Sequence, residues 1–82
     1  MSRSTGHSIR IEPYKVVRLS GGCQVIRVID GTAWITAEQK DIVAGPSREV
    51  MVEGSEELPV VISGMMGEGV TLNIGNMIAL AA

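Results

Sequence analysis

The chain has 82 residues, 45% of them apolar, with a net charge of −2 and a pI near 5.2. A single cysteine (Cys23) and a single histidine (His7) exclude an intrachain disulfide and a zinc site of ordinary composition, and the acidic balance argues against a nucleic-acid partner held by phosphate contacts. A domain this small buries only roughly 60% of its unfolded surface, so with those staples excluded, self-association remains as the stabiliser.

In chain order, residues 1–7 are expected to be a disordered tail and residues 8–82 a single domain. The first eight residues lack the apolar centre of a secretory signal, and no run approaches the roughly 20 apolar residues of a membrane span. A free cysteine without such a signal gives a cytoplasmic expectation.

From Ser8 onward, short runs rich in Val and Ile alternate with Gly and Pro. They cover residues 8–12, 15–19, 23–29, 32–37, 48–53, 59–63 and 70–74, so about seven short strands are predicted. The composition reads as all-β: a small antiparallel β-sandwich or half-open barrel.

Gly21-Gly22 and Asp30-Gly31 both suit two-residue hairpin turns, which require positive φ at both central residues. Two such hairpins would set Leu19 opposite Gln24, Arg27 opposite Val16 and Trp34, and Ile26 opposite Ile35. Alternation then places Val17, Leu19, Ile26, Val28, Ala33, Ile35 and Ala37 on a core face. Val16, Arg18, Val25, Arg27, Ile29, Thr32, Trp34 and Thr36 share the other, mixed face. In the run 48–53, Val50 and Val52 lie on one side and Met51 on the other. The last strand should turn Val70, Leu72 and Ile74 inward. Residues 77–82, with Met77, Ile78 and Leu80, are apolar enough to want cover, whether as a strand or as a helical turn.

The charges are unevenly spread. All seven basic residues lie at or before Arg48, whereas Glu49 onward holds five glutamates and no Lys or Arg. Such a pattern favours attraction between the two halves or between subunits.

The segment 23–62 resembles a family of small, uncharacterised, cupin-like bacterial domains. The residues that carry the likeness are Val28-Ile29-Asp30-Gly31-Thr32-Ala33-Trp34-Ile35-Thr36, then Asp41-Ile42-Val43-Ala44-Gly45, then Val50-Met51-Val52. Where that pattern continues from the glycine with an acidic residue, this chain has Pro46-Ser47. The resemblance implies a cupin-type β-sandwich or half-open barrel and no assigned activity. Metal-binding cupins use several histidines and a glutamate, and one histidine does not supply that set.

The candidate sites follow from residue chemistry. Trp34, set against Arg27, reads either as a cap on the second layer or as an interface anchor, since Trp and Arg are enriched at hot spots. If Trp34 is buried either way, Trp34→Ala should cost about 3–5 kcal/mol. Cys23 reads as a small half-buried hydrophobe. Asp30 and Asp41 read as turn and loop residues, and Glu53, Glu56 and Glu57 as a solvated acidic stretch. The glycine-rich segment with Met65 and Met66 has no lysine and is not a phosphate cradle.

These features favour a non-enzymatic interaction or structural domain acting as a homo-oligomer, a dimer foremost, or as an accessory subunit. The candidate interface residues are Arg27, Trp34, Met77, Ile78 and Leu80. The alternative is a metal-free small-molecule-binding module of cupin type, limited by an interior expected to be filled with side chains. A basic patch built from Arg10, Lys15, Arg18, Arg27 and Lys40 would be needed for a DNA binder, and the acidic second half opposes it. No cofactor, nucleic-acid partner or membrane is expected.

Overall fold

A computed structural model of the protein describes residues 6–76. Residues 1–5 of the expected tail, and the whole apolar segment 77–82 with Met77, Ile78 and Leu80, lie outside the described residues.

The described residues form eight strands: β1 (Gly6–Ile11), β2 (Val16–Leu19), β3 (Gly22–Asp30), β4 (Ala33–Ala37), β5 (Lys40–Ala44), β6 (Glu49–Gly54), β7 (Val60–Gly64) and β8 (Val70–Asn76). They form two four-stranded antiparallel sheets, one in the order β1-β8-β3-β6 and the other β2-β7-β4-β5. We call these sheet A and sheet B. The chain changes sheet at every connection except β4–β5, so the strands wind between two layers as a closed sandwich. The all-β sandwich expected from composition is therefore present, with β5 as a strand that the glycine and proline punctuation does not reveal. β1 starts at Gly6, which places His7 in a strand opposite Ile74.

Alternation sorts the side chains as expected. Ile26, Val28, Ala33, Ile35 and Ala37 are all buried, with Val17 and Leu19 packed against them. Val52 joins this core while Met51 faces out, and Val70 and Leu72 close it from β8. The interior is filled by Ile, Val, Leu and Ala side chains, and their burial holds the two layers together.

Both expected hairpins are absent. β2 pairs with β7 rather than β3, and β3 pairs with β6 and β8 rather than β4. Gly22 and Gly31 do take positive φ, at +82° and +88°, but Gly21 and Asp30 do not, so neither pair forms the double left-handed turn. Each glycine instead turns a corner from one layer to the other. At Gly31 space matters as well, since a Cβ there would lie 2.8 Å from the Gly69 carbonyl oxygen. The physical reason is burial: winding the chain between two layers lets the apolar faces of the two sheets cover each other, which a single sheet of local hairpins would not do.

Among the described residues, the one two-residue hairpin is Glu38-Gln39, with φ of 51° and 64°. It joins β4 to β5 with Ala37 opposite Lys40 and Thr36 opposite Asp41. Neither residue is glycine or asparagine, so its turn chemistry gives no signal.

One bulge bends β3. Its pairing with β8 shifts register between Val28 and Asp30, which leaves Ile29 as the extra residue and exposes it.

Candidate functional site

The outward residues of sheet A form rows across the strands. Ser8, Asn73, Arg27 and Glu49 are consecutive partners across β1, β8, β3 and β6. Beside them lies the row Gly6, Gly75, Val25 and Met51. Because Gly75 has no side chain, the floor of the second row sinks where Arg27 and Asn73 rise next to it.

Two open hollows result. One, of about 120 Å³, is lined by Val25, Arg27, Glu49, Asn73 and Gly75. The other, of about 260 Å³, is lined by Arg27, Val28, Ile29, Ser47 and Asn73. Arg27 and Asn73 border both, so the guanidinium stands on the ridge between them. Ser47 reaches the second hollow because its backbone N–H donates to the Val28 carbonyl at 2.8 Å, while the Val28 N–H donates to the Arg48 carbonyl at 2.9 Å. The loop between β5 and β6 is thereby pinned alongside β3, and the exposed bulge residue Ile29 forms the apolar side of the hollow.

Among the described residues, the ion pairs are those of Arg10, with Glu12 at 3.5 Å and Asp30 at 4.0 Å. Arg10 also donates from Nη1 to Thr71 Oγ1 at 3.1 Å. Arg27 faces Glu49 across the β3–β6 ladder without closing to an ion pair, so its donors remain open to solvent or a ligand.

Trp34 is not beside Arg27. It points from the outer face of sheet B, with Val43 of β5 and Ser63 of β7 as its neighbours across the ladder. The expected Trp–Arg stack therefore does not form, because the two residues occupy opposite outer surfaces of the sandwich. Trp34 is 42% exposed, which also corrects the expectation that its truncation should cost as much as that of a buried Trp. With Val16 opposite Ser63, an outward row Val16, Ser63, Trp34, Val43 crosses all four strands of sheet B. Next to it runs a second row, Arg18, Val61, Thr36 and Asp41.

Other candidates also find their places. Cys23 is exposed, not half-buried: it sits outward on β3 opposite Glu53, where an edge pairing leaves it uncovered. Asp41 accepts a hydrogen bond from Thr36 Oγ1 at 3.0 Å on a strand rather than capping a loop. Arg18 and Arg27 lie on opposite faces and Arg10 is engaged by Glu12 and Asp30, so the five basic residues do not gather into one patch. Among the described residues no three of His, Cys, Asp and Glu come together as a metal site, and no helix is long and apolar enough to cross a membrane.

Sequence reasoning found Arg27 but missed Glu49, Asn73, Ser47 and Gly75 around it. The alternation that turns Asn73 outward is visible in the chain. That β8 lies beside β3 is not, because it depends on pairing across more than half the sequence.

The fold is a double-stranded β-helix. A de novo designed double-stranded β-helix superposes with a TM-score of 0.65 at 14% identity, covering 88% of this chain and 97% of that one. The EutQ protein of Clostridium difficile matches with a TM-score of 0.61 at 13% identity, over 84% of this chain and 52% of its own. A protein of Acidithiobacillus ferrooxidans, provisionally named a sugar phosphate isomerase, matches with a TM-score of 0.63 at 24% identity, over 89% of this chain and 49% of its own. The chain thus spans about half the length of these two natural proteins. No protein-family model matches the chain, and no curated protein does. The likeness establishes a cupin-like fold and matches the resemblance read from residues 23–62 at that level.

Proposed function

We propose that this domain is a metal-free small-molecule-binding module whose site is the outer face of sheet A rather than the interior of the double-stranded β-helix. The observation that carries this reading is Arg27 on the ridge between two hollows, with Asn73 beside it and no ion-pair partner among the described residues. The interior is packed with Ile26, Ile35, Ile62 and Leu72, so a ligand has no room there. Both hollows are smaller than the ~300 Å³ at which drug-sized sites begin. The ligand is accordingly a small polar molecule with a carboxylate or phosphate for Arg27 and Asn73. A hydroxyl or ammonium group on it would be met by Glu49, and its short apolar part by Val25 or Ile29. A planar guanidinium suits either oxyanion in bidentate form. The provisional name of the Acidithiobacillus ferrooxidans neighbour belongs to the same chemical class of polar, anionic small molecules.

Binding without catalysis is part of the proposal. The lining offers one guanidinium, one carboxylate, an amide and a hydroxyl, with neither a histidine nor a thiol beside them. The test is titration of the ¹⁵N-labelled protein with small carboxylates, phosphates and zwitterions. Amide shifts should cluster at Val25, Arg27, Asn73 and Gly75, and Arg27→Ala should abolish them. No clustered shift from any of these compounds at about 10 mM, a concentration that would detect even millimolar affinity, overturns the reading.

A further inference from the structure

We infer that the outer face of sheet B is a self-complementary surface that pairs with the same face of a second copy about a two-fold axis. The axis runs parallel to the strands, between β7 and β4. This goes beyond the binding role proposed for sheet A and uses none of its residues.

The argument rests on the order of residues across the sheet. An isologous contact requires that a residue on one side of the axis fit the residue at the equivalent distance on the other side. A two-fold axis along the strands between the two central strands lays β2 over the partner copy's β5 and β7 over its β4. Each row then meets itself reversed. In the apolar row Val16, Ser63, Trp34, Val43, the edge valines meet each other and each Trp34 lies over the small Ser63 of the other copy. In the row Arg18, Val61, Thr36, Asp41, Val61 meets Thr36 and Arg18 meets Asp41. One geometry therefore satisfies a large-on-small match, an apolar match and an opposite-charge match, each made twice by symmetry.

The state of these side chains in the single chain agrees. Val16, Trp34 and Val43 are 56%, 42% and 48% exposed, so this apolar stripe is uncovered in the single chain. Arg18 has no ion-pair partner among the described residues. The Asp41 carboxylate is anchored through one oxygen by Thr36, which leaves its other oxygen for a guanidinium. Trp and Arg are the residues most enriched in interface hot spots.

Size sets the strength. Four strands at about 4.8 Å spacing and five residues at about 3.4 Å rise give a face of roughly 300 Å² per copy. Twice that lies below the ~1,200 Å² of standard stable complexes, in the range of weak, reversible association. The expected dissociation constant is on the order of 10–100 μM.

Sedimentation equilibrium from about 5 μM to about 1 mM, a range that brackets that constant, should show a monomer–dimer equilibrium. Trp34 emission should shift to the blue with concentration. Arg18→Asp and Asp41→Arg each place like charges opposite one another and should weaken association by about ten-fold or more. Combining the two in one chain restores opposite charges and should restore association. Ser63→Trp, which fills the space that receives Trp34, should abolish it. Arg18 and Asp41 are exposed, so circular dichroism should show all the charge variants folded. A monomer throughout the range overturns the inference. So does a dimer indifferent to the charge swaps, or a double swap that fails to recover.

Discussion

The two outer faces of this sandwich are built by the same alternation over the same core, yet they differ in chemistry. Sheet A presents Arg27, Asn73, Glu49 and Ser8 in one polar row above a floor thinned by Gly75. Sheet B presents Val16, Trp34 and Val43 around Ser63, with its charges held at the two edge strands. A polar row next to a missing side chain makes hollows, whereas a row of exposed valines around a Trp makes a stripe. With the interior filled, each layer of this two-layer fold keeps one free face open to other molecules.

The largest perturbation should act on both faces at once, because they share a core. Ile62 is fully buried and pairs with Val17 and Ile35. Ile62→Ala should cost about 2–5 kcal/mol. Thermal unfolding followed by Trp34 emission for sheet B and by Asn73 and Gly75 amide signals for sheet A should give one common midpoint. Separate midpoints would mean that the faces are independent folding units.

Truncation of one residue on each face sharpens the contrast. Trp34→Ala should cost about 1–2 kcal/mol in urea unfolding of the monomer, less than for a buried Trp because part of the ring stays in water. Between the two in size, Gln39→Gly should raise stability by about 1 kcal/mol by removing a left-handed non-glycine residue from the β4–β5 hairpin. It touches sheet B without altering the outer rows. Arg27→Ala should change stability by less than about 0.5 kcal/mol, as for surface positions generally, while removing the ligand response. A large loss of stability at Arg27 would instead make it a structural residue of sheet A.

The inward and outward sorting was readable from the sequence because alternation is a local property of extended chain. Val28 turns in and Arg27 out whichever strand lies alongside. Partner choice was not readable, since it is decided by which arrangement covers the inward face of every strand. Asp30-Gly31 carries the strongest local hairpin signal and is used to change layers. Glu38-Gln39 carries none and makes the tight turn, because the flanking β4 and β5 ladder pays for two left-handed residues. The candidate site suffered from the same limit. Arg27 and Trp34 were each visible as outward residues, but their neighbours depend on β8 lying between β1 and β3 and on β7 lying between β2 and β4.

The place of β8 also sets the order of events in time. It is the last strand among the described residues, and it occupies an interior position of sheet A, with β1 on one side and β3 on the other. Until that strand has emerged from the ribosome, the first strand of the domain has no partner and the longest has one edge bare. Pairing of Gly6 with Gly75 closes nearly the whole domain into a single loop. Folding of this domain is therefore completed only once β8 is available, at the millisecond-to-second pace of β-proteins dominated by distant contacts. A nascent chain held short of Val70 would expose one unpaired strand edge on each side of the gap that β8 fills.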